Sequence, residues 1–152
     1  MVKTNSDRTA ARMPHMDLSL VPETACLADA RREIRDFLAH HCTDKKAVSD
    51  MVLAVEEACS NAICHSGSSE HIHVRLSAEN DQLEAMVKDK GRGFEIDDFD
   101  PLCLPDALSN HGRGLFLMAR LCDELRLHLD GGLEVLLRKR TPLAASAEAW
   151  LP

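Results

Sequence analysis

Tyrosine is absent from this 152-residue chain, and aromatic residues make up only 3% of it. So few flat rings leave no stacking platform for single-stranded nucleic acid. Positive charge is also scarce, with 18 Lys and Arg against 25 Asp and Glu and a net charge of −7. That balance argues against general attraction to nucleic acid or to an anionic membrane. No apolar run is long enough to span a bilayer, and the stretch from Met1 to Met13 lacks the apolar centre of a signal peptide. The six cysteines form no Cys-x-x-Cys pair and mostly occupy apolar positions of expected helices, so the expected setting is reducing and cytoplasmic. What is present is 45% hydrophobic and 28% charged residues, the composition of one soluble domain large enough to bury its own core.

Periodicity divides the chain into a loose tail over 1–14, a domain over 15–140 and a second tail over 141–152. Leu18 and Leu20 alternate with polar residues in a short strand that stops at Pro22. Thr24 is placed to cap a helix whose apolar face is Leu27, Ala30, Ile34, Phe37, Leu38 and His41. Thr43 or Asp44 starts a second helix with a stripe of Val48, Met51, Val52, Val55, Cys59 and Ala62, and Gly67 is a suitable stop. Ile72, Val74 and Leu76, a turn over 78–81, then Leu83, Ala85 and Val87 predict a hairpin that ends at Asp89. Residues 94 to 110 hold two prolines, four acids between Asp97 and Asp106, and no sustained period, which predicts a mobile loop. A short helix from about Gly112 to Cys122, burying Leu115, Met118 and Ala119, precedes a closing hairpin around Asp130-Gly131-Gly132. The expected fold class is α+β, a sheet covered on one face by helices.

Three stretches carry polar residues that such a scaffold does not require. Glu57 and Asn61 lie one helical turn apart on the side away from the apolar stripe, with Ala54 leaving room beside them. A carboxylate there can take a proton from an attacking hydroxyl, and an amide oxygen suits a hard cation such as Mg²⁺. The same pair also reads as a solvated helix face. Asp89-x-Gly91-x-Gly93 follows a strand; the aspartate can accept from an exocyclic amine and the glycines admit a ligand to the backbone, or the segment is an ordinary turn. Gly112-Arg113-Gly114 opens a helix, where free N–H groups and an arginine suit phosphate, as could Arg92. It is neither a Walker loop nor a Rossmann fingerprint. His65, His71 and His73 with Cys59 and Cys64 match no standard zinc spacing.

Taken in order, Glu57-x-x-x-Asn61, Asp89-x-Gly91-x-Gly93-Phe94 and Gly112-Arg113-Gly114-Leu115 resemble the motifs of the GHKL ATPase superfamily. Residues 55–65 and 112–118 are similar to the anti-sigma-factor serine/threonine kinases within it, and the likeness runs from about Leu18 to Lys139. The resemblance implies a Bergerat fold, a two-layer α/β sandwich with a mixed, mostly antiparallel sheet. It implies ATP and Mg²⁺ as cofactors, Glu57 as general base toward a partner's serine, and Asn61 as the Mg²⁺ ligand. Asp89 would meet the adenine amine with Gly91 and Gly93 as the adjoining wall. Gly112, Arg113 and Gly114 would meet the phosphates as 94–110 closes as a lid. The implied partners are a sigma factor and an anti-sigma-factor antagonist, and a homodimer built on the first strand or helix. A sequestering module that uses nucleotide only as a conformational ligand, or a detached histidine-kinase-type domain, would carry the same motifs. The family's frequent adenine-side threonine has no counterpart in Gly132-Leu133-Glu134-Val135.

Overall fold

The computed structural model describes residues 3–5, 13–91 and 113–144. Its strands are β1 (Lys3–Asn5), β2 (His15–Leu20), β3 (Ile72–Glu79), β4 (Gln82–Lys88), β5 (Glu124–Leu129) and β6 (Leu133–Arg140), and alternation of apolar and polar side chains sets all but the short, wholly polar β1. Helical periodicity sets α1 (Leu27–His41), α2 (Lys45–His65) and α3 (Arg113–Leu121). The strands form one sheet in the order β1-β2-β3-β4-β6-β5, and each of these pairings is antiparallel, in line with the mostly antiparallel sheet expected.

One face of the sheet is apolar and the helices lie on it. Leu18 and Leu20, then Ile72, Val74 and Leu76, then Leu83, Ala85 and Val87, then Val135 and Leu137 are buried there with Ile34, Leu38, Met51 and Val55 of the helices. The other face carries ion pairs: Arg75 with Asp17 at 2.7 Å, and Arg138 between Glu84 at 2.7 Å and Glu124 at 3.0 Å. Met86 and Leu136 sit opposite each other between these pairs.

Asp44 starts α2 by accepting from Lys46 N at 3.0 Å and Ala47 N at 3.2 Å, which satisfies two N–H groups left open by the helix end. Gly67 follows the last turn with φ +67°, a conformation an L side chain resists. Thr24 does not cap α1: it opens a single 3-10 turn (Thr24–Cys26), and neither Glu23 nor Cys26 makes a side-chain cap bond. The β3–β4 turn is tighter than 78–81, with only Asn80 and Asp81 at positive φ, as the twist of a two-residue hairpin demands.

The tails expected at 1–14 and 141–152 are both shortened by attachments to the domain. Lys3–Asn5 pairs with β2. Thr141 N donates to Asp81 O, Leu143 N to Asp81 Oδ1, and Ala144 N to His41 O, so 141–144 strap the hairpin turn to the end of α1. Among the described residues no helix is long and apolar enough to cross a membrane.

Candidate functional site

Helix α2 packs against α1, α3 and the sheet, so little of its surface is left open. Its apolar stripe is buried as expected, and so are Ala47, Ala54 and Ala58. Ala54 was expected on an open polar face; it is fully buried, because neighbouring elements close over a helix that one sequence period shows only as two-sided. Small residues there let the helices approach closely. Glu57 and Asn61 remain half-buried at the edge of this packing.

Helix α3 brings Gly114 to that edge. A Cβ built on Gly114 would lie 2.9 Å from Asn61 Nδ2, 3.2 Å from Asn61 Oδ1 and 3.2 Å from Glu57 Oε2. The glycine therefore keeps clear the gap that the two side chains face. Because Gly114 is the second residue of α3, the helix's free N–H groups and the positive end of its dipole lie beside the same gap. Arg113, the first residue, is exposed. Burial, and then the negative charge of neighbouring Glu56, hold the Glu57 carboxyl above its ordinary range, which makes it a stronger base than a free carboxylate.

Asp89 sits at the end of β4, only 4% exposed. Its Oδ1 accepts from Gly91 N at 2.8 Å and Leu133 N at 3.1 Å, while its N–H donates to Leu133 O at 3.0 Å. The carboxylate is thus fixed by β6 and by its own turn through one oxygen. Among the described residues Oδ2 takes no hydrogen bond, which leaves it as an acceptor for a ligand. Gly91 is required by packing: a Cβ there would stand 2.1 Å from Ser66 O, at the end of α2. Gly132, expected only as part of the turn of the closing hairpin, plays the same part from β6's side. Its φ is +148° and a Cβ would meet Asp89 O at 2.0 Å. The Asp-Gly-Gly run before β6 was the signal that could have found it.

Gly93, Gly112, Arg92 and the expected lid over 94–110 lie outside the described residues. Three of the sequence-derived positions, Glu57, Asn61 and Gly114, are therefore brought into one gap, and Asp89 and Gly91 form a second feature beyond the C-terminal end of α2. No group of three or more His, Cys, Asp or Glu suited to a metal occurs among the described residues. Asn61 Oδ1 and Glu57 Oε2 nonetheless give hard oxygen donors, as suits Mg²⁺ held by one or two side chains plus phosphate oxygens. Cys59 is fully buried, with its thiol pushed up to about 12 by burial and then by Glu56, so it packs as a hydrophobe.

Comparison with known proteins identifies the family. The chain is 36% identical over 102 residues to the serine-protein kinase RsbW of Bacillus licheniformis and 33% identical over 102 residues to that of Bacillus subtilis. Each match covers 60% of this chain and 64% of the relative, so the chain spans a little under two thirds of those proteins' length. The crystal structure of the RsbU and RsbW domains of a Mycobacterium tuberculosis protein superposes with a TM-score of 0.65 at 23% identity, covering 88% of this chain and 33% of that one. The shared fold is an α+β sandwich. Residues 20–139 match the family described as the histidine kinase-like ATPase domain, and the chain belongs to that family.

Proposed function

We propose that this chain is an ATP-dependent protein serine/threonine kinase that also acts as an anti-sigma factor in a cytoplasmic partner-switching system. It holds a sigma factor and phosphorylates an anti-sigma-factor antagonist, with Mg²⁺ as its metal. The support lies in the family match, in relatives named serine-protein kinases, and above all in the convergence of Glu57, Asn61 and Gly114 on one gap.

Bound ATP with Mg²⁺ supplies the phosphoryl group and offsets the charge that develops on it. The protein's share of the chemistry is positioning and a base. Asp89 Oδ2 accepts from the adenine amine, and Gly91 lines the base. Asn61 presents its amide oxygen to the metal. The backbone at Gly114, with Arg113 beside it, receives the phosphates at the helix N-terminus. Glu57 accepts the proton of the incoming serine hydroxyl as the oxygen attacks, and its raised affinity for protons suits that task.

Glu57→Ala is expected to abolish label transfer from radioactive ATP to the antagonist protein while calorimetry still detects ATP binding. Loss of ATP binding in that variant would make Glu57 a ligand-holding residue and remove it as the base. Absence of any label transfer by the wild-type chain would leave a sequestering module.

A further inference from the structure

Along β6 the helix-facing positions read Leu133, Val135, Leu137 and Lys139, so a lysine stands where the stripe calls for an apolar side chain. It pairs across the sheet with Leu83, which is fully buried. Its amine donates to Leu121 O, at the end of α3, at 2.6 Å and lies 3.2 Å from Asp50 Oδ2 of α2. The Lys139 and Asp50 side chains are only 17% and 15% exposed, so the pair is largely withdrawn from water. Such a pair is weak evidence of stability, because desolvation offsets much of the attraction. What it supplies is position.

Asp50 stands seven residues before Glu57 on α2, and Leu121 stands seven residues after Gly114 on α3. The two helices run antiparallel here. Gly114 faces Glu57 and Asn61 at one end, and Cys122 Sγ meets Met51 Sδ at 4.0 Å at the other. The Lys139 amine and the gap at Gly114 are thus opposite ends of one helix pair, about two turns or ~10 Å apart. Apolar contact between the helices is non-directional and sets no unique register. A hydrogen bond to one chosen carbonyl does.

We propose that Lys139 is a positioning residue for nucleotide binding: by joining Leu121 O to Asp50 it fixes where α3 stands along α2, and so where the N-terminal end of α3 meets the gap beside Glu57 and Asn61. The use of that gap is taken from the kinase function above, whereas the tie between the helices stands independently of it. The backbone ladder of α3 carries a displacement at Leu121 through to Gly114. A misplacement of about 1 Å at a group that meets the reacting ligand is enough to be felt strongly.

Lys139→Met keeps the apolar stem and leaves Asp50 paired with Lys46 at 2.7 Å, so no carboxylate is stranded and the variant is expected to fold. Hydrogen exchange of the ligand-free full chain, read by mass spectrometry, is expected to quicken in peptides from 113–121 and to stay unchanged in α1 and β3. By calorimetry Mg-ATP is expected to bind about tenfold more weakly. Adenosine, which would meet Asp89 and Gly91 but not α3, is expected to bind within about twofold of the wild type. Asp50→Asn frees the α2 end of the tie and is expected to give the same pattern, which keeps the test open should Lys139→Met not fold. A folded variant with Mg-ATP affinity or 113–121 exchange as in the wild type overturns the proposal. So does an equal loss for Mg-ATP and adenosine, the mark of a general loosening. If the wild-type chain binds neither ligand, the kinase function falls, while faster exchange confined to α3 leaves the tie standing.

Discussion

Two glycines with the same freedom to vary in principle differ sharply in what surrounds them. At Gly91 an added methyl meets backbone, Ser66 O at 2.1 Å, which cannot swing aside. Gly91→Ala is therefore expected to cost about 2–3 kcal/mol by urea unfolding, the scale of overpacking a rigid neighbour. At Gly114 the methyl meets the side chains of Asn61 and Glu57, and alanine is the better helix former. Gly114→Ala is expected to leave stability within about 1 kcal/mol of the wild type while weakening Mg-ATP binding at least tenfold by calorimetry. Equal destabilisation of the two variants would show that Gly114 serves packing and not a ligand. Glu57 carries a further consequence. Its carboxyl is raised in the folded chain, so ionising it costs more folded than unfolded, and the penalty is complete only above the raised value. Glu57→Gln should then raise the melting temperature at pH 7.5, and the gain should vanish below the ordinary carboxylate value, where both forms are neutral. A melting temperature unchanged or lowered at pH 7.5 would contradict a desolvated Glu57.

At the scale of elements, the second helix was legible from its stripe and from Asp44, and both hairpins from alternation. Asp44→Ala is expected to cost about 1 kcal/mol, because Lys46 N and Ala47 N lose their acceptor. What stayed hidden depends on contacts between segments far apart in the chain. Ala54 looked open because periodicity describes one helix and not the helix that later packs against it. The segment 141–144 looked like a tail because its anchors, Asp81 and His41, are backbone and turn groups with no sequence pattern. Gly132 looked like an ordinary turn residue because its partner, Asp89 O, lies just past the end of a strand 43 residues earlier. Asp50 is a similar case. Burial pulls its carboxyl up, but hydrogen bonds from Lys46 at 2.7 Å and Lys139 at 3.2 Å bring it below the ordinary range. Lys139 also donates to Leu121 O at 2.6 Å, tying α2, the end of α3 and β6 together. The stability from Asp50 is present above its unfolded value and is lost as pH falls through the lower folded one. Asp50→Asn is expected to destabilise the chain at pH 7 and much less at acid pH; an equal loss at both would locate the effect in packing.

For the whole molecule, the gap is bounded by two segments that nothing but the fold holds together. Glu57 and Asn61 belong to α2, buried on the sheet, whereas Gly114 comes from a helix that starts 52 residues after Asn61. A ligand seated between them binds the folded chain and has no site on the unfolded one, so its affinity appears as stability. At one hundred times its dissociation constant the gain is about 2.7 kcal/mol, worth a few degrees in melting temperature for a chain of this size. Among the described residues Mg²⁺ alone finds the Asn61 and Glu57 oxygens, and it is expected to add little. ATP with a chelator can still use Asp89 and the α3 N-terminus, so a partial shift is expected. The full shift should need both, and Asn61→Ala should reduce the Mg-ATP shift to about that seen with ATP and chelator. This pattern separates a metal held jointly by protein and phosphate from nucleotide bound without it. A shift that is the same with and without Mg²⁺ in the wild type would remove Asn61 as a metal ligand, even if ATP binds.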